Sequence, residues 1–421
     1  MAEPAFRAPK GTRDILPPES GRRRELVRRF ADLAERHGFG EVVSPIFEDL
    51  GVFQRIGDAT DVVSKEMFDF FDKGDPPQHL ALRPELTASI CRAFAEHRPT
   101  APWKVWYEGP QFRYEQPQAG RYRQFSQVGV EVLGADDPQV DVDVIALGHR
   151  FYEALGLRQV ELLVNSLGDA TCRPAYLDAL TAHFEAHRDG LSAQSQVTLE
   201  RNPLRVLDSK RPEDQAIIDA APVMVDHLGD DTAAHFAAVR DGLDSLGIAY
   251  TISPRLVRGL DYYTRTTFEF AAGALDNAQN AVGGGGRYDR LVEDLGGPPT
   301  PGMGFALGVD RILLACDAEG AFDIETSGVD VFVVDVTGDN HALAVCDRLR
   351  LAGVRADRAY GGRSMKAQMK VADRSGAAFA VILGGDEIAA GEATLRDLRG
   401  DTGQRRVALD AIAAELTALL T

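Results

Sequence analysis

The sequence has few cysteines and no long hydrophobic run. Its four cysteines, among 421 residues, are widely scattered and form no C-x-x-C pair. Because structural zinc needs closely spaced thiolates or imidazoles, we expect neither disulfides nor structural zinc, and no residue is predicted as a metal ligand. No segment reaches the roughly 20 apolar residues of a membrane helix, and residues 1–13 lack a hydrophobic signal core. These absences predict a cytoplasmic protein with no membrane partner.

Two common nucleotide-binding motifs are also missing. The glycine run Gly283–Gly286 is not followed by the Lys-Ser or Lys-Thr pair that completes a Walker loop. The run does not open a βαβ unit either, which argues against a dinucleotide-binding fingerprint. Consecutive glycines in a strand would instead let a ligand lie against bare backbone.

The composition is that of an ordinary folded protein with an acidic surface. The chain is 44% hydrophobic and 26% charged, which argues against disorder. Its net charge of -18 argues against nucleic-acid binding through a broadly basic surface, so a polyanion must be held by local basic patches. The length predicts two domains, or one domain with an insertion.

The N-terminal part has the pattern of an α+β domain. An amphipathic helix is predicted over Glu19–His37, and a strand over Glu41–Phe47, where Pro45 favours a sheet edge or a subunit contact. Short strands separated by turn signals follow from about residue 78 to 134, which predicts an antiparallel sheet. A polar helical stretch over about 168–245 interrupts the strands, and we interpret it as an insertion.

The C-terminal part changes to an alternation of strands and helices. The predicted elements are strands Val329–Val336, near Val354 and Ala378–Leu383, helices His341–Leu351 and Ser364–Ser375, and a terminal helix. This alternation predicts a separate α/β domain with a partly parallel sheet. We therefore predict a first domain over 1–320, a linker over 321–328 and a second domain over 329–421.

One predicted strand carries a candidate binding surface. In Arg123–Val132, valines alternate with Gln127, Gly129 and Glu131, so the two sets lie on opposite faces. The glycine leaves room above the sheet, and the amide and carboxylate could bind a small cationic or hydrogen-bonding ligand. The alternative is the solvated face of an antiparallel sheet.

Several arginines could meet phosphate. Arg113 and Arg121 lie among aromatic residues, where guanidinium groups suit phosphate oxygens and rings can stack on bases; the alternative is a surface hairpin with ordinary salt bridges. Arg311 lies in the first turn of a helix after a glycine-rich strand, which by default is only a flexible turn. Arg258 lies on a glycine turn beside two tyrosines, Tyr262 and Tyr263.

Glu85 and Thr87 lie where a strand gives way to a helix. Thr87 could cap that helix, and Glu85 could favour its positive end. Together they also offer a carboxylate and a hydroxyl suited to an α-ammonium group.

The order and spacing of these motifs resemble the histidyl-tRNA synthetases over nearly the whole chain. The matching segments are Pro9–Asp14, Asp61–Met67, Arg83–Glu85 with Thr87, Phe112–Arg113 through Arg121–Phe125, Gln127–Glu131, Leu256–Tyr263, Gly284–Asp289, Gly304–Arg311, Gly362–Lys366 and Ala380–Asp386. The resemblance implies a class II synthetase antiparallel sheet flanked by helices, with a helical insertion, and a C-terminal anticodon-binding domain.

The resemblance also implies a reaction and its cofactors. ATP and histidine would form a histidyl-adenylate, whose histidine is then transferred to tRNA(His), with Mg²⁺ as cofactor. Arg113 and Arg258 would be catalytic, and Arg113, Arg121 and Arg311 would bind ATP. A two-fold homodimer is expected, with residues 19–47 contributing to the contact.

The same resemblance implies a site for histidine. Glu85, Thr87 and Gln127 would bind the amino group, while Glu131 and Tyr263 would bind the imidazole. The neighbouring Tyr262 is included among the histidine-binding residues. Partners for both ring nitrogens would reject apolar isosteres, because a wrong side chain leaves those buried partners unpaired.

The sequence departs from the family pattern at four positions. Tyr114, Gln116 and Ser126 stand where the family usually has His, Arg and His, and Leu86 stands where it usually has Gly. By the same resemblance, the first three would lie around the loop that approaches ATP and the acceptor end of the tRNA, so the reading of that end is not predicted.

Two other functions fit a synthetase-like chain. One is a catalytically silent regulatory subunit of ATP phosphoribosyltransferase, which lacks the C-terminal domain and resembles this chain poorly at Leu256–Tyr263. The other is a sensor domain that binds uncharged tRNA without catalysis, which would predict the loss of Arg113 or Arg258. Both arginines are present.

Overall fold

The computed structural model describes residues 6–55, 65–257, 260–275, 280–324, 328–400 and 402–420. The chain separates into two units, Met1–Asp323 and Ile324–Thr421. Within the described ranges, no helix is both long and apolar enough to cross a membrane.

The first unit combines strands and helices along its whole length. Its strands, in chain order, are β1 (Gly40–Glu41), β2 (Phe47–Asp49), β3 (Phe68–Phe71), β4 (His79–Leu82), β5 (Trp103–Phe112), β6 (Gln124–Leu133), β7 (Val160–Ser166), β8 (Thr251–Ile252), β9 (Thr264–Ala272), β10 (Ala281–Arg287) and β11 (Gly302–Gly308). Its α-helices are α1 (Glu19–Arg36), α2 (Leu50–Gln54), α3 (Thr87–His97), α4 (Pro138–Ala154), α5 (Arg173–Ala186), α6 (Ala193–Arg201), α7 (Pro212–Asp219), α8 (Asp230–Ser245), α9 (Leu291–Asp294) and α10 (Val309–Glu319).

The centre of this unit is an eight-stranded sheet with the order β1-β5-β6-β11-β10-β9-β7-β8. Only its outermost pairs, β1 with β5 and β7 with β8, run parallel. The predicted antiparallel sheet flanked by helices is thus confirmed. The prediction of short strands was wrong in detail, since β5 and β6 are ten residues each and form one long hairpin.

The alternating residues of β6 are buried on both faces of the sheet. Val128, Val130 and Val132 are buried on the face covered by α1 and α4, as predicted. On that face Phe30 of α1 makes edge-to-face contacts with Phe151 of α4 and with aromatic rings of β5 and β11. Burying such a phenylalanine is worth roughly 1.5–3 kcal/mol. The opposite face is therefore left for the polar members of the alternation.

The single strand predicted over Glu41–Phe47 is wrong, although the predicted edge position is confirmed, since β1 and β2 are each the outermost strand of a sheet. The ends of the predicted strand belong to different sheets, because β1 pairs with β5 whereas β2 pairs with β4 in a three-stranded sheet of order β2-β4-β3. Between them, the carbonyl oxygens of Ser44 and Pro45 accept hydrogen bonds from the buried Arg83 guanidinium at 2.8 and 3.1 Å. Pro45 also has no N–H to donate to a ladder, so this backbone binds a side chain instead of a strand.

The segment between β7 and β8 is helical, with α5 to α8 and the 3₁₀ helices Arg188–Gly190, Pro203–Asp208 and Met224–His227. It corresponds to the predicted insertion. Tyr176, Leu180, Phe184 and Leu199 are buried together in a hydrophobic core that belongs largely to this segment. The helices from α5 to Met224–His227 therefore form a body with its own packing, whereas α8 packs against α4, where His235 is hydrogen-bonded to Asp141.

The second unit is a five-stranded sheet with four helices in its described part. Its elements are β12 (Val331–Asp335), α11 (His341–Leu351), β13 (Ala356–Arg358), α12 (Met365–Arg374), β14 (Phe379–Leu383), α13 (Gly385–Ala389), β15 (Glu392–Asp397), β16 (Gln404–Ala408) and α14 (Ile412–Leu420). The order is β13-β12-β14-β15-β16, parallel for the first three strands and antiparallel beyond. The partly parallel sheet is confirmed, but β15 and β16 were missed.

Candidate active site

A cavity of about 830 Å³ opens on the polar face of the large sheet. It is bounded by the β5–β6 hairpin loop, the glycine-rich strands β10 and β11, the start of α3 and the helical insertion. Eight of the predicted site residues line it: Glu85, Thr87, Arg113, Arg121, Gln127, Tyr262, Tyr263 and Arg311. The tenth predicted residue, Arg258, lies outside the described residues. The ninth, Glu131, is not among the lining residues.

The floor of the cavity is formed by bare backbone. Gly283 and Gly284 of β10 line it, and Gly284 pairs with Ala306 of β11. Gly304 lies two residues before Ala306 in the same strand. A Cβ on Gly304 would lie 1.7 Å from a carboxylate oxygen of Glu131. The glycines therefore make room both for a ligand above the sheet and for the carboxyl of Glu131.

Glu131 is fully buried and hydrogen-bonded to three hydroxyl groups. Its carboxyl accepts from the hydroxyl of Thr87 at 2.8 Å, from that of Tyr107 at 3.2 Å, and from that of Tyr288. Burial raises the pKa of the Glu131 carboxyl to about 8, against the opposing effect of these hydrogen bonds. The group therefore mostly keeps its proton at neutral pH and lies one contact behind the cavity wall.

The start of α3 has a different hydrogen-bonding pattern from the one predicted. Glu85, and not Thr87, caps the helix, because its carboxylate accepts from the backbone N–H groups of Thr87 and Ala88 at 2.7 and 2.8 Å. Thr87 instead donates its hydroxyl to Glu131. Burial raises the pKa of Glu85 above its ordinary value, while the N–H groups oppose that change.

Gln127 and the two tyrosines complete this end of the cavity. The side-chain oxygen of Gln127 is buried and has no hydrogen-bond partner in the part of the chain that the structure describes. The ring centroids of Tyr262 and Tyr263 are 4.6 Å apart, and Tyr262 also meets the edge of Tyr288 at 5.7 Å. A buried acceptor without a donor, beside aromatic rings, suits a small ligand with N–H groups.

The other end of the cavity is cationic. Arg113 is fixed by a hydrogen bond from Nε to the carbonyl of Pro84 at 2.9 Å, and its guanidinium lies 5.2 Å from the ring centre of Phe125. Glu115 is 4.0 Å from Arg113 and 3.5 Å from Arg121, so one carboxylate faces two cations.

Arg311 adds a third cation to this end. Burial, and then the charge of Arg121, lower the pKa of Arg311 below its ordinary value. The carboxylates of Glu269 and Glu115 act on Arg311 in the opposite direction. The three arginines outnumber these two carboxylates, so an anion would be stabilised at this end.

The residues that depart from the family pattern have defined places. Tyr114 is exposed, with its ring under the guanidinium of Arg123 at 3.6 Å and 5.4 Å from the ring of Phe68. Ser126 is buried and lines the cavity, whereas Gln116 is exposed. The tyrosine thus forms part of an aromatic and cationic stack at the hairpin loop.

Several lining residues escaped the sequence analysis. They are Glu269 and, from the insertion, Gln194, Thr198, Arg201, Asn202, Arg205 and Arg211, while Lys65 and Glu66 belong to the matching segment Asp61–Met67 but were given no role. Glu269 of β9 pairs with Gly284 across the sheet, a register that no sequence pattern specifies. Tyr288 belongs to the matching segment Gly284–Asp289, but its hydrogen bond to Glu131 depends on the fold.

The family model for histidyl-tRNA synthetase matches residues 11–312, and that for an anticodon binding domain matches residues 330–419. The histidine–tRNA ligase of Saccharopolyspora erythraea is 48% identical over 98% of this chain and 99% of that protein. The ligase of Geobacillus kaustophilus is 46% identical over 94% of each chain. The crystal structure of the apo histidyl-tRNA synthetase of S. aureus superposes with a TM-score of 0.81 at 37% identity, covering 98% of this chain and 99% of that one. The chain therefore belongs to the histidyl-tRNA synthetase family.

Proposed function

We propose that this protein uses ATP to attach histidine to its tRNA through a histidyl-adenylate. The observation that carries this proposal is the meeting of a cationic end and a small polar end in one cavity. Arg113, Arg121 and Arg311 line the first, and Glu85, Thr87 and Gln127 line the second. The high identity to histidine–tRNA ligases over nearly the whole chain supports the same assignment.

In the first step, a carboxylate oxygen of histidine attacks the α-phosphorus of ATP. A carboxyl–phosphate bond forms, the bond to the β-phosphate breaks, and pyrophosphate leaves. Negative charge grows on the α-phosphate oxygens, and fixed cations lower the energy of that state. We assign this catalytic role to Arg113, with Arg258 supplying a second positive charge, and we assign the β- and γ-phosphates to Arg121 and Arg311.

The polar end would bind the amino acid. Glu85, Thr87 and Gln127 are assigned to the α-amino group, since a carboxylate, a hydroxyl and the unpaired Gln127 oxygen are acceptors for its N–H groups. Tyr263 and Glu131 are assigned to the two imidazole nitrogens, with Tyr262 packing beside them. Because Glu131 lies behind the cavity wall and accepts from the Thr87 hydroxyl, it would act on the imidazole through that hydroxyl.

The cavity also fits Mg²⁺ bound together with ATP. No cluster of three or more metal-ligating side chains occurs among the described residues, but Mg²⁺ usually keeps several waters and takes only one or two carboxylates beside the phosphates. We assign Glu269, a half-buried lining residue, as such a carboxylate. Mg²⁺ would neutralise charge on the leaving pyrophosphate.

The second step would transfer histidine to the tRNA. A ribose hydroxyl of the terminal adenosine attacks the carbonyl carbon of the adenylate, an ester forms, and AMP leaves. We propose that residues 1–320 carry both steps, that 321–328 link the domains, and that 329–421 bind the anticodon, as the second family model suggests. Such work in translation would place the protein in the cytoplasm.

We further propose a two-fold homodimer. Large apolar side chains are exposed on β2, β3 and the preceding loop, with Val43 84%, Phe47 51% and Phe71 62% exposed. Grouped apolar exposure of this kind marks a protein contact. Light scattering should give twice the chain mass, and Phe47→Asp should shift the protein toward the monomer. A monomeric wild type would refute the dimer.

Exchange of radioactive pyrophosphate into ATP tests the proposed activity. It should depend strictly on histidine, and Arg113→Ala should abolish it in a protein that still unfolds cooperatively. The exposed Arg150 of α4 gives a matched control. Arg150→Ala removes the same charge from a residue that does not line the cavity. A silent regulatory subunit would show no exchange with any amino acid. That alternative fits less well because the matching ligases and the second family model extend over the C-terminal unit.

A further inference from the structure

Residues 253–257 and 260–263 lie between β8 and β9 in the chain, and Tyr262 and Tyr263 line the polar end of the cavity. We call residues 253–263 the tyrosine segment; its residues 258 and 259 lie outside the described ranges. On the sheet side, Asn165 of β7 holds it by donating to the carbonyl of Leu256 at 3.0 Å. The side chains of Leu260, Tyr262 and Tyr263 also pack in the hydrophobic cores on the sheet side. The segment's polar side-chain contacts are made mostly with the helical insertion.

The first half of the segment is bound to the end of α7. The guanidinium of Arg255 donates to the carbonyl oxygens of Asp219, Ala221 and Pro222 at 2.9, 2.7 and 3.0 Å. These are carbonyls at the C-terminal end of a helix, where a cation also meets the negative end of the helix dipole. Val257 packs against the hydrophobic core of the insertion.

The second half is bound at two further points of the insertion. Arg205 donates to the carboxylate of Asp261 at 2.8 Å, and Asn202 reaches the same oxygen at 3.4 Å. Arg173, at the start of α5, donates to the carbonyl oxygen of Tyr263 at 3.0 Å. The side chains of Arg205 and Asp261 are only 18% and 25% exposed, so water screens this ion pair incompletely.

These contacts give the insertion control over the two tyrosines. Asp261 is next to Tyr262 in the chain, and Arg173 binds the backbone of Tyr263 itself. The insertion therefore fixes the backbone that carries the tyrosines, while their rings pack against the sheet side at the amino-acid end of the cavity. Arg113 of the ATP end is positioned separately, since its Nε donates to the carbonyl of Pro84 on the sheet side.

We propose that the helical insertion positions the tyrosine segment for amino-acid recognition, with Arg205 and Asp261 as the positioning pair. The inference rests on the proposed use of Tyr262 and Tyr263 in histidine binding. It assigns to the insertion a part in the first reaction step, before any tRNA is bound. Histidine recognition and the placement of the insertion are then coupled.

A double-mutant cycle in the pyrophosphate exchange assay tests this proposal. Arg205→Ala and Asp261→Ala should each raise the KM for histidine about tenfold or more, because a charge-assisted hydrogen bond is lost and the tyrosines move. The KM for ATP should change less than about twofold. The double variant should be no worse than the poorer single variant, because the two residues act through one contact.

The control is Arg188→Ala, which removes an insertion arginine paired with Glu185 and Glu200 away from the cavity. It should leave both KM values unchanged. Thermal unfolding checks that each variant folds, and Asp261→Asn replaces Asp261→Ala where the alanine variant does not. If Arg205 binds ATP directly, its loss raises the KM for ATP and the two substitutions add, which overturns the proposal. Unchanged KM values for histidine overturn it as well.

The wild type separates this proposal from the proposed function. Absence of histidine-dependent exchange in the unmodified protein refutes the function itself. Normal exchange in the wild type, together with unaffected variants at positions 205 and 261, refutes only the positioning role.

Discussion

Replacing Glu131 with glutamine should make the protein less sensitive to alkaline pH. The carboxyl is fully buried, and burial raises its pKa to about 8 from an ordinary value of 4.5. Between those two values the folded protein holds a proton that the unfolded chain releases. The stability contributed by the protonated group is thus complete below about pH 4.5 and is lost as the pH rises toward about 8.

The size of the effect follows from the same numbers. Where the folded state holds one proton more than the unfolded state, stability falls by about 1.4 kcal/mol per pH unit. Close to the folded pKa the slope diminishes, so the expected loss between about pH 6 and about pH 8 is about 2 kcal/mol. Glutamine has nearly the same shape and carries no proton to lose. Its free energy of unfolding should therefore rise relative to that of the wild type by this amount.

Tryptophan fluorescence in urea gives a suitable assay. The only two tryptophans, Trp103 and Trp106, both lie in β5 of the large sheet, so their emission reports on the first unit alone. The difference between Glu131→Gln and wild type is the quantity to plot against pH, because all other ionisable groups are common to both proteins. A difference that stays constant from about pH 6 to about pH 8 would mean that Glu131 is ionised in the folded protein.

Two further changes test the packing and the charges around the cavity. Gly304→Ala should destabilise the first unit by about 1–3 kcal/mol or more, because the new Cβ would overlap Glu131 and the carbonyl of Val130, while Gly40→Ala, where the space is open, should be tolerated in the same urea titration. Asp141→Asn should cost up to about 3–5 kcal/mol, because it removes the buried carboxylate closest to the Arg287 guanidinium, which then has only the more exposed Asp136 and Asp289 at 3.5 and 3.6 Å.

The pH dependence of the wild type gives a second reading of the same ion pair. Burial opposes ionisation of Asp141, but the hydrogen bond from His235 and the charge of Arg287 outweigh it and lower its pKa. The stability it contributes is therefore present above the ordinary value of 3.8 and is lost as the pH falls through the lowered one. Acid titrations of wild type and Asp141→Asn should converge; parallel curves would contradict this account.

Local elements of the fold could be predicted because their signals are local. The helix His341–Leu351 was predicted with the bounds that the structure has, and the alternation in β6 correctly separated the buried valines from the polar residues. By contrast, β15 and β16 were missed, since in β16 four of five residues are exposed and the strand is defined by its partner. Which strands pair, and in which register, depends on contacts between distant segments, and a single sequence does not specify those contacts.

The sequence alone determined which residues could do chemistry at each motif and in what order they occur. Only the tertiary structure decided that eight of them line one cavity, that Glu131 is held behind Thr87 with a raised pKa, and that Glu85 caps α3. Only the fold, too, brought Arg205 of the insertion to Asp261. The physical reason is that pKa values, ion pairs and ligand cavities depend on burial and distance between segments remote in the chain, whereas patterns in a sequence report what neighbouring residues can form.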